Sequence, residues 1–209
     1  MSIRGQGSQL LLGRILAFMF SMFLPIVLVR VYSVEDYGYF QKINTILLSL
    51  ITVVQFGFPV SLLVFYKQTE KKSLLIYQSV LSVGVISLIF SLLFLVSDTF
   101  INFIFSEDIS LFIRALISFS FICGALAYFI DNLLIVEGKK NYIIYYYIID
   151  KSIKALLLIL SAYIFKDILW LIIALSIYFL IRFLCSATYV IYNYPIMNIS
   201  KDFNLFKEQ

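Results

Sequence analysis

Long apolar runs broken by short polar turns repeat along the chain. The clearest pair flanks Val29 to Gln41, a stretch holding Arg30, Glu35, Asp36 and the single glycine Gly38. Two apolar segments joined by so short a turn must lie antiparallel. Counted this way the chain has six runs, at about 10–31, 40–66, 73–96, 111–136, 142–165 and 168–194. Each reaches the roughly 20 residues that a helix needs to cross hydrocarbon. None alternates apolar and polar positions, so the pattern excludes a membrane β-barrel. Between the third and fourth runs, Phe100 to Phe105 is aromatic but short, and is predicted to lie in the membrane interface. Gly57 and Pro59, near the end of the second run, predict a bend, because proline removes a backbone donor. That bend reads equally as a flex point, a hinge, or as a static kink packed against a neighbour. The stretch 1–195 therefore reads as one six-helix transmembrane lobe. Residues 196–209 read as a short polar tail, or as the start of a link to a further lobe.

Composition sharpens this into an all-α integral membrane protein. The 209 residues are 62% hydrophobic and 13% charged, with a mean hydropathy of +1.00. A soluble domain carries about twice that charge. The absence of histidine removes the commonest metal ligand and general base, so neither a metal site, a cofactor nor an enzymatic centre is expected. The two cysteines, Cys123 and Cys185, sit inside apolar runs and read as small buried hydrophobes. The cations are scattered singly, which gives no nucleic-acid patch. Arg4 precedes an apolar stretch too long for a signal core and without a cleavage pattern, so the first run reads as a span.

Loop charge sets the orientation. Arg4, Lys67, Lys71, Lys72, Lys139, Lys140, Lys201 and Lys207 fall on one side, against Arg30 and Lys166 on the other. Eight against two places both termini and the even-numbered turns in the cytoplasm.

Candidate chemistry lies in the charges left inside the runs: Arg14, Asp131, Asp150, Lys151, Lys154 and Arg182. Each costs at least ~2.5–3.5 kcal/mol to hold mid-bilayer, so these groups should face the bundle interior, a wet cavity or one another. Lys42 and Arg114 lie close enough to a membrane surface to snorkel. Arg14, Lys154 and Arg182 read as a cationic lining for an anionic substrate. Asp150, one turn from Lys154, is expected to pair with it or with Arg182, and Asp131 is a second counter-ion candidate near the cytoplasmic end. The alternative is that these pairs simply lock helices together. Asn44, Thr45, Ser49, Thr52 and Gln55 in the second run read as helix–helix hydrogen bonders.

A resemblance adds to this. Gly13-Arg14 in the first run is followed by Leu-Val-Arg-Val-Tyr-Ser-Val-Glu-Asp-Tyr-Gly-Tyr-Phe-Gln, and the second run ends in Gln-Phe-Gly-Phe-Pro-Val-Ser-Leu. Over about residues 8–66 this resembles the polysaccharide flippases of the multidrug/oligosaccharidyl-lipid/polysaccharide superfamily. The resemblance implies a multi-pass transporter of the inner (plasma) membrane, one that moves polyprenyl-pyrophosphate-linked oligosaccharide during assembly of surface polysaccharide such as O-antigen. It implies a two-lobed, alternating-access machine whose central cavity is lined by cations, here Arg14, Lys154 and Arg182 tuned by Asp150. Such transporters have two lobes, and the six runs account for one. The chain is thus expected to be a truncated N-terminal lobe, or a half that works beside a second lobe or a second copy. The alternative is a membrane scaffold or accessory subunit of a polysaccharide-assembly complex that transports nothing. A membrane-embedded glycosyltransferase is the weakest fit, since the longest loop offers only Asp98, Glu107 and Asp108.

Overall fold

The computed structural model describes residues 18–19, 22–55, 57–105 and 109–195, and all regular structure among them is helical. The helices are α1 (Met22–Val31), α2 (Val34–Val54), α3 (Phe58–Phe65), α4 (Lys72–Val96), α5 (Asp98–Phe105), α6 (Leu111–Ala127), α7 (Phe129–Val136), α8 (Lys140–Phe165) and α9 (Ile168–Asn193). Three stretches, Lys72–Val96, Leu111–Val136 and Ile168–Asn193, are long and apolar enough to cross a membrane. At 1.5 Å per residue, the 25 residues of α4 and the 26 of α9 exceed the ~30 Å of hydrocarbon. The 26-residue α8 has the length, but Asp150, Lys151 and Lys154 interrupt its apolar character.

Local signals explain the boundaries. Ser33 caps α2 by accepting from the Asp36 backbone N–H at 3.1 Å, and Glu35 and Asp36 occupy the first turn, where the helix dipole favours anions. The second apolar run is broken between α2 and α3. Gly57 takes φ +77°, a conformation that costs any residue with a Cβ, and Pro59 follows in the first turn of α3, where a missing N–H is tolerated. Between α8 and α9 the chain turns through Lys166 at φ +51°, and Asp167 caps α9 by accepting from the Leu169 N–H at 3.1 Å. The interfacial segment predicted at 100–105 is the short α5. It buries Ile101 and Phe105 and leaves Phe103 exposed.

The helices pack around α6, which contacts α9, α4 and α2. Beside Ile117 and Phe121, its buried face carries the small residues Ser118, Ser120, Cys123, Gly124, Ala125 and Ala127, which let backbones approach closely. A Cβ added at Gly124 would lie 2.5 Å from Ile51 Cδ1 and 3.1 Å from the Phe179 ring. Hydroxyls tie the same helices together. Ser120 Oγ donates to Ser176 Oγ at 2.8 Å and Ser118 Oγ to the Ser91 carbonyl at 3.3 Å. Of the polar residues in the second run, Asn44 bonds across to α8. Thr52 instead donates back to Leu48 in its own helix at 2.9 Å, and Gln55 Nε2 is buried without a hydrogen-bond partner among the described residues.

The turns alternate between two ends of the bundle. At one end the Tyr32 hydroxyl donates to the Asp167 carbonyl at 3.2 Å, and Arg114 pairs with Asp98. At the other, Tyr66, Lys72, Glu137 and Tyr194 meet around one cavity. The outside of the bundle is apolar: Leu81, Val85, Leu88 and Leu92 on α4, and Ile149, Leu156, Leu160 and Tyr163 on α8, are exposed. Continuous faces of this kind need lipid or another apolar protein surface to cover them. Cys123 is buried, whereas Cys185 is exposed on α9 rather than buried as its apolar surroundings in the sequence suggest.

Candidate functional site

A polar seam crosses the interior where α8, α9, α7 and α2 face one another. Helical spacing builds it. Tyr146, Asp150 and Lys154 stand four residues apart on α8, and Tyr178 and Arg182 four apart on α9, so each set lies on one face. Asp131, in the first turn of α7 just past Tyr128, joins the same group through Arg182.

Arg182 is the hub, with its side chain 3% exposed. Its Nη2 donates to both oxygens of Asp131, at 3.0 and 2.9 Å. Its Nε donates to the Tyr146 hydroxyl at 3.1 Å and lies 3.4 Å from Asp150 Oδ1. Its Nη1 reaches the Tyr178 hydroxyl at 3.4 Å, and that hydroxyl donates to Asp150 Oδ1 at 2.8 Å. The guanidinium also sits 3.8 Å from the centroid of the Tyr128 ring, a cation–π contact strengthened by desolvation. Guanidinium presents five donors in a planar fork and is weakly hydrated, which suits it to such burial.

Lys154 is placed differently. Its ammonium donates to Asn44 Oδ1 at 3.1 Å and lies 5.6 Å from the Tyr178 ring centroid. The Asp150–Lys154 pair expected from spacing is not formed among the described residues; Asp150 pairs with Arg182 and, at 3.4 Å, with Lys151. The reason is competition. Arg182 and Tyr178 occupy Asp150 Oδ1 from α9, and the Lys151 ammonium lies 3.4 Å from Oδ2. Among the described residues, three cations (Arg182, Lys151 and Lys154) against two carboxylates give the seam a formal surplus of one positive charge. Beside the Lys154 ammonium opens a cavity of about 270 Å³, lined by Pro25, Gln41, Asn44, Tyr128, Lys151 and Lys154.

Asp131 and Asp150 thus both sit against Arg182, and Lys154 faces the cavity. Arg14 lies outside the described residues. Gly57 and Pro59 form the break between α2 and α3. Sequence reasoning missed Tyr128, Tyr146 and Tyr178 as members of the site. The i, i+4 spacing of Tyr146 to Asp150 and of Tyr178 to Arg182 was the available signal, masked by the abundance of tyrosine at span ends.

A helical bundle with an apolar exterior and a polar seam buried inside it defines the chain as a membrane protein. The chain matches the family described as polysaccharide biosynthesis protein over residues 6–209. It belongs to that family. No curated protein and no solved structure matches the chain.

Proposed function

We propose that this chain is a flippase lobe that carries polyprenyl-pyrophosphate-linked oligosaccharide across the inner membrane by alternating access. The family membership supports the polysaccharide role. The observation that carries the substrate reading is Lys154, an ammonium in the interior with no acid within ion-pair distance among the described residues, facing a cavity with Lys151 and the amides of Gln41 and Asn44. A buried cation without a carboxylate is costly, and a diphosphate entering that cavity would supply the missing charge and acceptor oxygens. Arg182, saturated by Asp131 and Asp150, acts in this reading as the rigid strut that keeps α7, α8 and α9 in register around the cavity. The remaining apolar runs complete six spans with both termini cytoplasmic. A second lobe or a second copy covers the exposed α8 face and closes the pathway. Gly57 and Pro59 provide the hinge between α2 and α3. No covalent bond is made or broken in this cycle.

The test is complementation of surface-polysaccharide production. Lys154→Ala is expected to reduce output at least tenfold at unchanged membrane abundance, with Lys154→Arg restoring much of it. Wild-type output from Lys154→Ala would overturn the substrate reading and favour a non-transporting scaffold of the assembly complex.

A further inference from the structure

The opposite fate of charge is seen at the cation-rich end of the bundle, far from Lys154 along α8. There the 66–72 turn, the 137–139 turn and the end of α9 surround a cavity of about 460 Å³ lined by Tyr66, Lys67, Lys72, Glu137, Lys139 and Tyr194. Its floor is a closed hydrogen-bond chain. The Tyr194 hydroxyl donates to Glu137 Oε1 at 2.5 Å, so its partner Tyr66, at 2.5 Å, must be the donor to it. Tyr189 donates to the other Glu137 oxygen, and Lys139 pairs with the same carboxylate at 2.9 Å. Glu137, 5% exposed, is thereby fully engaged. Lys67 and Lys72 are exposed and have no acid within ion-pair distance among the described residues; Lys72 lies over the Tyr66 ring at 5.0 Å.

A second cavity, of about 230 Å³ and almost wholly apolar, lies immediately membrane-ward, between α4 and α9. Tyr77 lines it, and the Tyr77 hydroxyl donates to the Tyr194 carbonyl at 2.9 Å, so the two cavities adjoin at this pair. From Tyr194 back to Phe183, at the far end of the groove, is eleven residues of helix, or about 16 Å. A polar, cationic mouth at the end of the spans above an apolar groove running into the bilayer is the shape of an amphiphile.

We propose that these two cavities form one binding site for an anionic phospholipid, its phosphodiester held by Lys67 and Lys72 and one acyl chain lying along Val80, Phe183, Ala187 and Val190. Charge complementarity selects the anionic headgroup, and the apolar groove distinguishes a lipid from free phosphate. The site shares no residue with the seam around Lys154, so it stands or falls independently of the transport reading.

Native mass spectrometry of the purified full chain, released from micelles doped with equal phosphatidylglycerol and phosphatidylcholine, tests it. One phosphatidylglycerol is expected to be retained in preference to phosphatidylcholine. Each lysine near an anionic group contributes about a factor of five, so the exposed-site double variant Lys67→Gln/Lys72→Gln should retain it about 30-fold less. Ala187→Phe, which fills the groove and leaves both lysines, should also lose it. Equal retention of the two lipids, unchanged retention by the lysine variant, or displacement by inorganic phosphate alone would each overturn the proposal.

Discussion

Arg182 holds two carboxylates because neither helix beside it could bury one alone. Asp131 comes from α7 and Asp150 from α8, and the guanidinium spans both while donating to Tyr146. Breaking such a network by removing one partner costs about 3–5 kcal/mol, since the others stay buried and unpaired. Arg182→Met should therefore lower the melting temperature in detergent sharply. Combining it with Asp131→Asn and Asp150→Asn should recover much of the loss; no recovery would mean that the cluster contributes packing and not charge balance. Gly124 offers a second test. Gly124→Ala should destabilise by about 1–3 kcal/mol through overpacking. Ile51→Val, which removes the Cδ1 atom that the new Cβ would meet at 2.5 Å, should relieve most of that in the double variant. At this scale the sequence tells depth and sign but not pairing. Asp150 lies one turn from Lys154, and only the approach of α9 shows that a five-donor guanidinium outcompetes the ammonium for it. Lys154 is left with an amide oxygen.

The elements themselves are written locally, in residues whose preferences are strong. Serine and aspartate caps start α2 and α9, and glycine with proline separates α2 from α3. The α8–α9 turn breaks the pattern by placing a lysine, Lys166, in the left-handed region. Lys166→Gly should stabilise the protein by about 1 kcal/mol in thermal unfolding, and Gly57→Ala should cost about as much. The 137–139 turn carries a pH signature. Hydrogen bonds to Glu137 and Tyr189 hold the Lys139 ammonium above its ordinary 10.5. A raised lysine contributes its stability below the ordinary value and loses it as pH climbs past, so no change from this group is expected between neutral pH and about 9. Stability should fall only in stronger alkali, and Glu137→Gln should remove that alkaline step. What the sequence conceals at this level is that Asp131, at the start of α7, reaches Arg182 on α9, 51 residues further along the chain.

For the molecule as a whole, the apolar runs are legible because lipid imposes one rule on every exposed position. The outward faces of α4 and α8 follow it at Leu81, Val85, Leu88, Leu156 and Leu160. The interior follows no such rule. Its cavity beside Lys154 depends on α1, α2 and α8 leaving space between Pro25, Asn44 and Lys151, which spacing along one helix cannot reveal. Passage of a diphosphate requires that space to be wet and open to an anion. In a variant lacking Cys123 and Cys185 but keeping Lys154, a cysteine placed by Ala155→Cys on the wall of the same cavity should react with a water-soluble thiol reagent, and a diphosphate-bearing lipid substrate should slow that reaction. A cysteine there that stays unmodified while one at exposed Tyr192 reacts fully would show a dry, packed interior and contradict the account.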